Sequence, residues 1–295
     1  MNFPRISIVT PSYNQSAFLE ETIRSVVDQN YPNLEYVVMD GGSTDGSIEI
    51  IRNYESRLAH WESEPDEGHG HALNKGFART SGEIMAWINS DDKYTPWSLQ
   101  VVAEIFSKFP HINWIVGFNS YWNSQGAMTY AWRHPKNIYD YLIGNYRWVQ
   151  QESVFWRRSL WEKAGSHIHQ DYRLAVDGEL WTRFFLHDEL YSLDCILSGY
   201  RIHSQNRGIH QHDECSREME GAIEVMRKKC DQEKLQTSKR LSRLKSVKQR
   251  WMMQHFPLQY LASRFVWPEM YRDLRYKNIA FQDGEWAERD LPWSI

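Results

Sequence analysis

Cysteine is scarce in this chain. Its 295 residues hold three, Cys195, Cys215 and Cys230, an odd number with no Cys-x-x-Cys pair. A disulfide scaffold and a zinc knuckle are both excluded on that ground, and a reducing cytoplasm fits best. No uninterrupted apolar run approaches the ~20 residues that a bilayer span needs, and the mean hydropathy is −0.65. Met1-Asn2-Phe3-Pro4-Arg5 runs straight into a strand-like segment, so no signal peptide is expected. Glycine is missing from the turn after the first strand, Thr10-Pro11-Ser12-Tyr13-Asn14-Gln15, where a dinucleotide fingerprint would need it. A phosphate-cradling Gly-x-x-x-x-Gly-Lys-[Ser/Thr] is absent as well. Aromatics are abundant instead, at 14% with 14 Trp and 16 Tyr, which a disordered chain would lack. The length allows one large domain or two small ones, with ample chain for a core.

The net charge of −4 hides an asymmetry. Ten Lys and Arg between Arg227 and Arg250 face only Asp231 and Glu233, a net +8, which leaves −12 elsewhere. An acidic body argues against general nucleic-acid binding. The basic segment must serve another purpose.

The first hundred residues alternate between strand-like and helix-like patterns. Ile6 to Thr10 and Glu35 to Met39 are short buried-type runs, with Leu19, Ile23, Val26 and Val27 at helical spacing between them. Gly41 to Gly46 makes a turn leading into a helix with Ile48 and Ile51, and a weak strand lies around Leu58 to Trp61. His71 to Ala78 reads as helix, Ile84 to Ile88 as strand and Trp97 to Phe106 as helix. This alternation predicts a parallel, doubly wound sheet. From about 113 to 160 the pattern dissolves into aromatic-rich irregular chain. Leu180, Phe184 and Phe185 then suggest a helix, and Tyr191 to Tyr200 a strand pair or loop. Beyond about 212 long polar helices are expected, with no strand signal until the end. No internal repeat is found.

In α/β sheets, ligands sit beyond the carboxyl ends of the strands. The turns there carry Tyr13, Asp40 and Asn89-Ser90-Asp91-Asp92. Carboxylates in such a place repel a bare diphosphate, so they make sense with a divalent cation between them. Together with Ala72-Leu73-Asn74-Lys75-Gly76, Gly82-Glu83-Ile84, Asp177-Gly178-Glu179-Leu180-Trp181 and Tyr200-Arg201-Ile202-His203, these segments occur in a characteristic order. Over about residues 5 to 205 the chain resembles the inverting family 2 glycosyltransferases, whose GT-A fold is a Rossmann-like, mostly parallel α/β sheet.

The resemblance implies a role for each matching residue. Tyr13 would pack on the nucleotide base, with Thr10 and Pro11 placing backbone against it, although Tyr13 would also serve merely to cap the sheet. Asp40 would contact base or ribose, the alternative being an Asx-turn. Asn89 stands where the family carries the first Asp of its Asp-x-Asp, with Ser90 beside it and Asp91 as the metal-binding acid. His203 would lie next to the metal and diphosphate, where neutral imidazole suits Mn²⁺ better than Mg²⁺. Asp177 would be the catalytic base, with Glu179 in reserve because Val176 replaces the family's usual preceding Glu. A solvated acid at a helix start is the plainer reading of Asp177. Asp66, Asn74 and Lys75 lie on the segment that crosses the nucleotide sugar, and Lys75 either offsets diphosphate charge or is a solvated helix residue. Trp148, Gln151 and Glu152, with Gln150, are expected on the acceptor or donor-sugar side. Trp122, Trp132 and Trp148 individually suit the core better than an acceptor platform, with at least one expected to line the cleft.

These implications define a catalytic domain over 1–210, with a nucleotide-sugar half to about 110 and an acceptor half after it. A basic, mainly helical extension over 211–295 follows. Residues 227–267 either pack on the catalytic domain or touch an anionic membrane surface, which would suit lipid-linked acceptors. The implied activity is Mn²⁺- or Mg²⁺-dependent inverting transfer from a nucleoside-diphosphate sugar, a UDP-sugar by preference. The acceptor would be a hydroxyl of a glycan or lipid-linked saccharide. Transfer to water or to a nonsugar molecule, and a silent sugar-nucleotide-binding or scaffolding protein, are the alternatives. Location is expected in the cytoplasm, free or at the inner face of the membrane.

Overall fold

A computed structural model describes residues 3–146, 149–204, 206, 211–254 (side chains of 247–254 excepted) and 274–293. The first half runs β1 (Ile6–Ser12), α1 (Ser16–Val27), β2 (Leu34–Asp40), α2 (Ser47–Asn53), β3 (His60–Ser63), α3 (His69–Ala78), β4 (Ile84–Trp87), β5 (Lys93–Tyr94) and α4 (Ser98–Lys108). β1 is buried at every position because β2 and β4 pair with both of its edges, each in parallel. The registers Ser12 opposite Asp40 and Asp40 opposite Ser63 bring three strand ends level. α3 lies close over β1 because Gly76 has no side chain; a Cβ there would stand 2.5 Å from Val9 Cγ1.

The segment expected to be irregular is ordered. It holds β6 (Trp114–Val116), β7 (Asn119–Trp122), β8 (Met128–Trp132), α5 (Ile138–Leu142), β9 (Val154–Arg157) and α6 (Arg158–Lys163). Elements of three to six residues are too short to establish a period, which is why pattern reading missed them. α7 (Val176–Phe185), β10 (Tyr191–Leu193) and β11 (Ser198–Arg201) follow. The large sheet has the order β13-β12-β10-β6-β9-β4-β1-β2-β3, parallel except where β9 and β13 pair. A small sheet, β5-β11-β7-β8, stands beside it.

After β11 come α8 (His212–Lys229) and α9 (Gln232–Gln254), then the hairpin β12 (Arg275–Gln282) and β13 (Glu285–Pro292). The hairpin turns at Asp283-Gly284, both with positive φ, and β12 joins the large sheet through β10. The final segment is therefore part of the main sheet as well as helical. The apolar face of α9 packs on the chain itself: Leu241 lies with Tyr276 and Trp293, and Leu235 against the main core. Lys239, Arg240 and Arg243 stay exposed. No helix among the described residues is long and apolar enough to cross a membrane.

Four indoles tie the two halves together. Trp87 of β4 stacks on Trp181 of α7 at 5.7 Å and 14°, and Trp114 and Trp156 pack on Trp181 at 5.8 and 5.9 Å. All four are buried. The contact fixes α7, whose first turn carries Asp177, against the strand that leads into Asn89 to Asp92.

Candidate active site

The site begins at the ends of β1 and β2. Tyr13 is 55% exposed there, and Asn14 next to it adopts φ 52, a conformation that asparagine tolerates. Asn14 Oδ1 accepts from the Thr44 N–H at 2.9 Å, and the Gly41 N–H donates to Ser12 O at 2.8 Å, so the two loops are laced. Thr10 Oγ1 is buried against the Tyr36 hydroxyl at 2.9 Å. Pro11 continues β1 opposite Met39. Asp40 is buried and accepts from the N–H groups of Gly42 and Ser43 and from the hydroxyls of Ser43 and Ser63. Its carboxylate holds the turn, as the Asx-turn reading has it. Asp45 caps α1 by accepting from the Ser16 N–H. Burial would raise its pKa, but the bonds from Ser47 and Ser16 outweigh that and hold it at about 2. Asp66 stands against Gly41, where a Cβ would meet its Oδ2 at 3.0 Å.

The acidic corner follows β4. Asp91 Oδ2 and His203 Nε2, 112 residues apart in sequence, stand 3.0 Å apart. His203 lies against the Phe18 ring and is bracketed by Asn206, whose amide takes the His203 N–H at 2.6 Å and donates to Arg201 O at 3.1 Å. Asn89 Oδ1 meets His69 Nε2 at 3.1 Å, and its amide nitrogen donates to Asp92 at 3.3 Å. Ser90 is buried, its carbonyl accepting from Thr22. Asp92 is wholly buried and accepts from the Arg201 N–H at 2.7 Å; burial first, then Asp91 and Glu152, push its pKa well up.

Arg201 is the residue that pattern reading undervalued. Its side chain is 1% exposed, and it donates to Asp91 O and to Glu21, each at 2.6 Å, while lying 5.0 Å over the Phe18 ring. It orients the Asp91 backbone and is a positioning residue. The signal was its place two residues before His203.

Across the cleft, α7 presents Asp177 in its first turn. Burial raises this carboxyl to about 6, more than the Gly178 and Asp177 N–H groups lower it. Gly178 is required because Met219 of α8 packs directly on it. Glu179 lies on another face of the helix. Two residues along a helix turns the side chain to the opposite face, where Arg183 grips it at 2.7 to 3.1 Å. Glu152 lies between the two walls. Burial, Asp177 and Asp91 raise it and outweigh bonds from its own N–H and from Gln150, leaving it at about 8. Its Oε1 and the Oε1 of Gln151 are buried without a partner, while the Gln151 amide nitrogen donates to Trp87 O at 2.7 Å. Gln150 bonds both amide ends to the Ser120 backbone.

Other expected residues have different neighbours. Lys75 pairs with Glu62 and lies 3.8 Å from Glu64, so its charge is neutralised at the edge of β3 rather than offered to a diphosphate. Asn74 clamps the loop before α7, donating to Ile168 O at 2.9 Å and accepting from its N–H at 2.7 Å. Trp122 is buried, with the Lys93 ammonium 4.7 Å over its ring. Trp132 is half-buried. Trp148 lies outside the described residues.

Asp91 and His203 hydrogen-bond to each other, with Asn206 Nδ2 also 3.1 Å from His203 Nε2, and both are side chains of the kind that ligate a divalent cation. Ligands at ~2.1 Å on adjacent corners of an octahedron stand ~3 Å apart, which is the Asp91 to His203 separation. No cluster of three or more His, Cys, Asp or Glu suited to a metal exists among the described residues. The remaining corners would then fall to substrate oxygens and water.

The comparisons with known proteins agree with this geometry. The family model for glycosyl transferase family 2 matches residues 7–180. The chain belongs to that family. An uncharacterized glycosyltransferase of Mycobacterium tuberculosis is 29% identical over 216 residues, covering 72% of this chain and 79% of the relative. Among solved structures, TarS of S. aureus in complex with UDP-GlcNAc superposes with a TM-score of 0.62 at 18% identity, covering 75% of this chain and 66% of that one. The mannosyltransferase PcManGT of Pyrobaculum calidifontis, in complex with GDP-Man and Mn²⁺, gives 0.54 at 20% identity, with coverages of 72% and 61%. The fold is thus the GT-A type expected from sequence.

Proposed function

We propose that this glycosyltransferase moves a sugar from a nucleoside-diphosphate sugar, a UDP-sugar by preference, to a saccharide hydroxyl with inversion, and that it requires Mn²⁺ or Mg²⁺. The observation that carries the reading is the Asp91–His203 pair, with the buried Glu152 within electrostatic reach of both Asp91 and Asp177. Asp91 and His203 would hold the cation together with the diphosphate. When bound, the cation offsets the charge that builds on the leaving diphosphate. Tyr13 would cover the base, and Asp66 with the Asp40 loop would border base and ribose.

Asp177 would then take the proton of the acceptor hydroxyl as its oxygen attacks the anomeric carbon. The bond to the diphosphate breaks on the opposite face, so the configuration inverts. A carboxyl at about 6 is ionised at pH 7 yet basic enough to receive a proton, which is what general base catalysis needs. Two structures of the same fold support the substrate class: TarS was solved with UDP-GlcNAc and PcManGT with GDP-Man and Mn²⁺. The exposed basic side of α9 would suit an anionic surface bearing a lipid-linked acceptor, in a cytoplasmic setting. Co-sedimentation with anionic vesicles that is no stronger than with neutral ones would remove that part.

The central test is a thermal-shift and calorimetric screen of UDP, GDP, dTDP and CDP, and of their sugar conjugates, with Mn²⁺, Mg²⁺ or EDTA. Metal-dependent binding of one nucleotide class is expected. Failure of every nucleotide with every metal would favour a silent scaffold.

A further inference from the structure

The small sheet has an aromatic face that none of the chemistry above uses. Tyr121 of β7 opposes Tyr130 of β8, and β11 sets Tyr200 opposite Tyr121. Strand alternation puts these three and Trp132 on one side. Tyr121 and Trp132 stack at 5.4 Å and 15°; Tyr130 meets Trp132 at 4.8 Å, and Tyr200 meets Tyr121 edge-on at 6.1 Å. Tyr130 is 61% exposed, while the other three are half-buried.

This face begins beside the acidic corner: Arg201, next to Tyr200, donates to Asp92 at 2.7 Å and to Asp91 O at 2.6 Å. Tyr200 lies within electrostatic reach of Asp92, Asp91 and Glu152, and Tyr121 within reach of Glu152. Asp177 in turn raises Glu152. A continuous row of rings therefore leads from the carboxylates out to the exposed edge strand β8. At its outer end the row opens to solvent through Tyr130.

We propose that the row Tyr200–Tyr121–Trp132–Tyr130 is the acceptor platform, and that its occupant is an oligosaccharide whose rings lie on these side chains and whose terminal hydroxyl reaches Asp177. The proposal rests on the transferase reading above. A pyranose presents an apolar face of C–H groups whose positive edges suit the negative faces of aromatic rings. Its hydroxyls project sideways, where three phenol groups can exchange hydrogen bonds with them. An acyl chain would need an enclosed apolar groove, whereas this surface is open and bordered by hydroxyls. The outermost rings, Tyr130 and Trp132, would bind sugars beyond the one that reacts, so the acceptor is an oligomer and not a monosaccharide.

The test uses the full chain and a panel of short β-glucans, N-acetylglucosamine oligomers, mannans and galactans, with the matching monosaccharides. Binding is followed by tryptophan fluorescence and calorimetry in the wild type, Tyr130→Ala, Trp132→Ala and the control Trp97→Ala, an exposed indole outside the ring row. At least one oligosaccharide class is expected to bind, and more tightly than its monosaccharide. That binding should fall about fivefold or more in Tyr130→Ala and Trp132→Ala, the range for losing one ring contact. The control should be unchanged, and nucleotide binding should be equal in all four. Absence of binding by every oligosaccharide, or equal binding in the two wall variants and the wild type, overturns the proposal. Loss of nucleotide binding in a wall variant also overturns it, because the rings would then be structural supports. If the wild type binds oligosaccharide through the wall but no nucleotide, the rings are a saccharide-binding surface, and the acceptor role falls together with the transferase reading.

Discussion

Asp177→Asn should make the protein more stable while silencing it. In the unfolded chain this carboxyl ionises near 3.8, and in the fold burial raises it to about 6. A raised carboxyl pKa means that ionisation opposes folding. Below pH ~3.8 both states are protonated and there is no penalty; between ~3.8 and ~6 the penalty grows; above ~6 it is complete. A shift of ~2 units corresponds to ~3 kcal/mol at most, and the residual exposure of the group reduces this to about 1–3 kcal/mol at pH 7. Asparagine keeps the shape and removes the charge. The variant should therefore melt roughly 2–8 °C higher at pH 7.5, with the advantage vanishing by pH ~4. Scanning fluorimetry and urea titration at several pH values measure this without any knowledge of the substrate. Equal stability of wild type and variant at pH 7.5, or a gain that does not depend on pH, would refute the reasoning. Once a donor is known, turnover should fall by about 10²- to 10⁴-fold while nucleotide affinity stays within a factor of about two.

Further expectations follow from the same geometry. Asp91→Ala and His203→Ala should each weaken Mn²⁺-dependent UDP binding by about tenfold or more while leaving metal-free binding alone, as calorimetry with Mn²⁺ and with EDTA would reveal. Glu152→Gln should remove a loss of stability that the wild type accumulates between pH ~4.5 and ~8, where the unfolded chain ionises this carboxyl and the buried one stays protonated; above ~8 the penalty is complete, and urea titrations at pH 5 and 8 compare the two. Trp181→Ala should cost about 3–5 kcal/mol by removing the ring that Trp87, Trp114 and Trp156 pack against, measured by urea unfolding. Arg201→Met should cost about 2–4 kcal/mol, since Asp91 O and Glu21 lose their donor, and it should also weaken metal-dependent binding through the displaced Asp91 loop.

Much of the site was legible because each group sits at a strand or helix end, where local sequence fixes conformation. Asp91, His203 and Asp177 could be picked out from their motifs. Lys75 and Glu179 could not be judged that way. An ammonium goes to the nearest carboxylate, and only the pairing of β2 with β3 put Glu62 beside Lys75. Helix rotation turned Glu179 onto Arg183, four residues along, yet nothing local distinguished this internal pair from a reacting acid. The terminal hairpin carried a local signal in Asp283-Gly284, but its place beside β10 depended on the whole sheet.

The sequence by itself determined the alternating strands and helices, the absence of glycine-cradled phosphate chemistry and the order of acidic motifs. Those are properties of neighbouring residues and of side-chain period. Only the tertiary structure decided that Asp91 would face His203 across 112 residues, that Glu152 would be buried between two acids, and that four rings from three strands would form one surface. Such features depend on burial and on distances through space, and a linear pattern encodes neither.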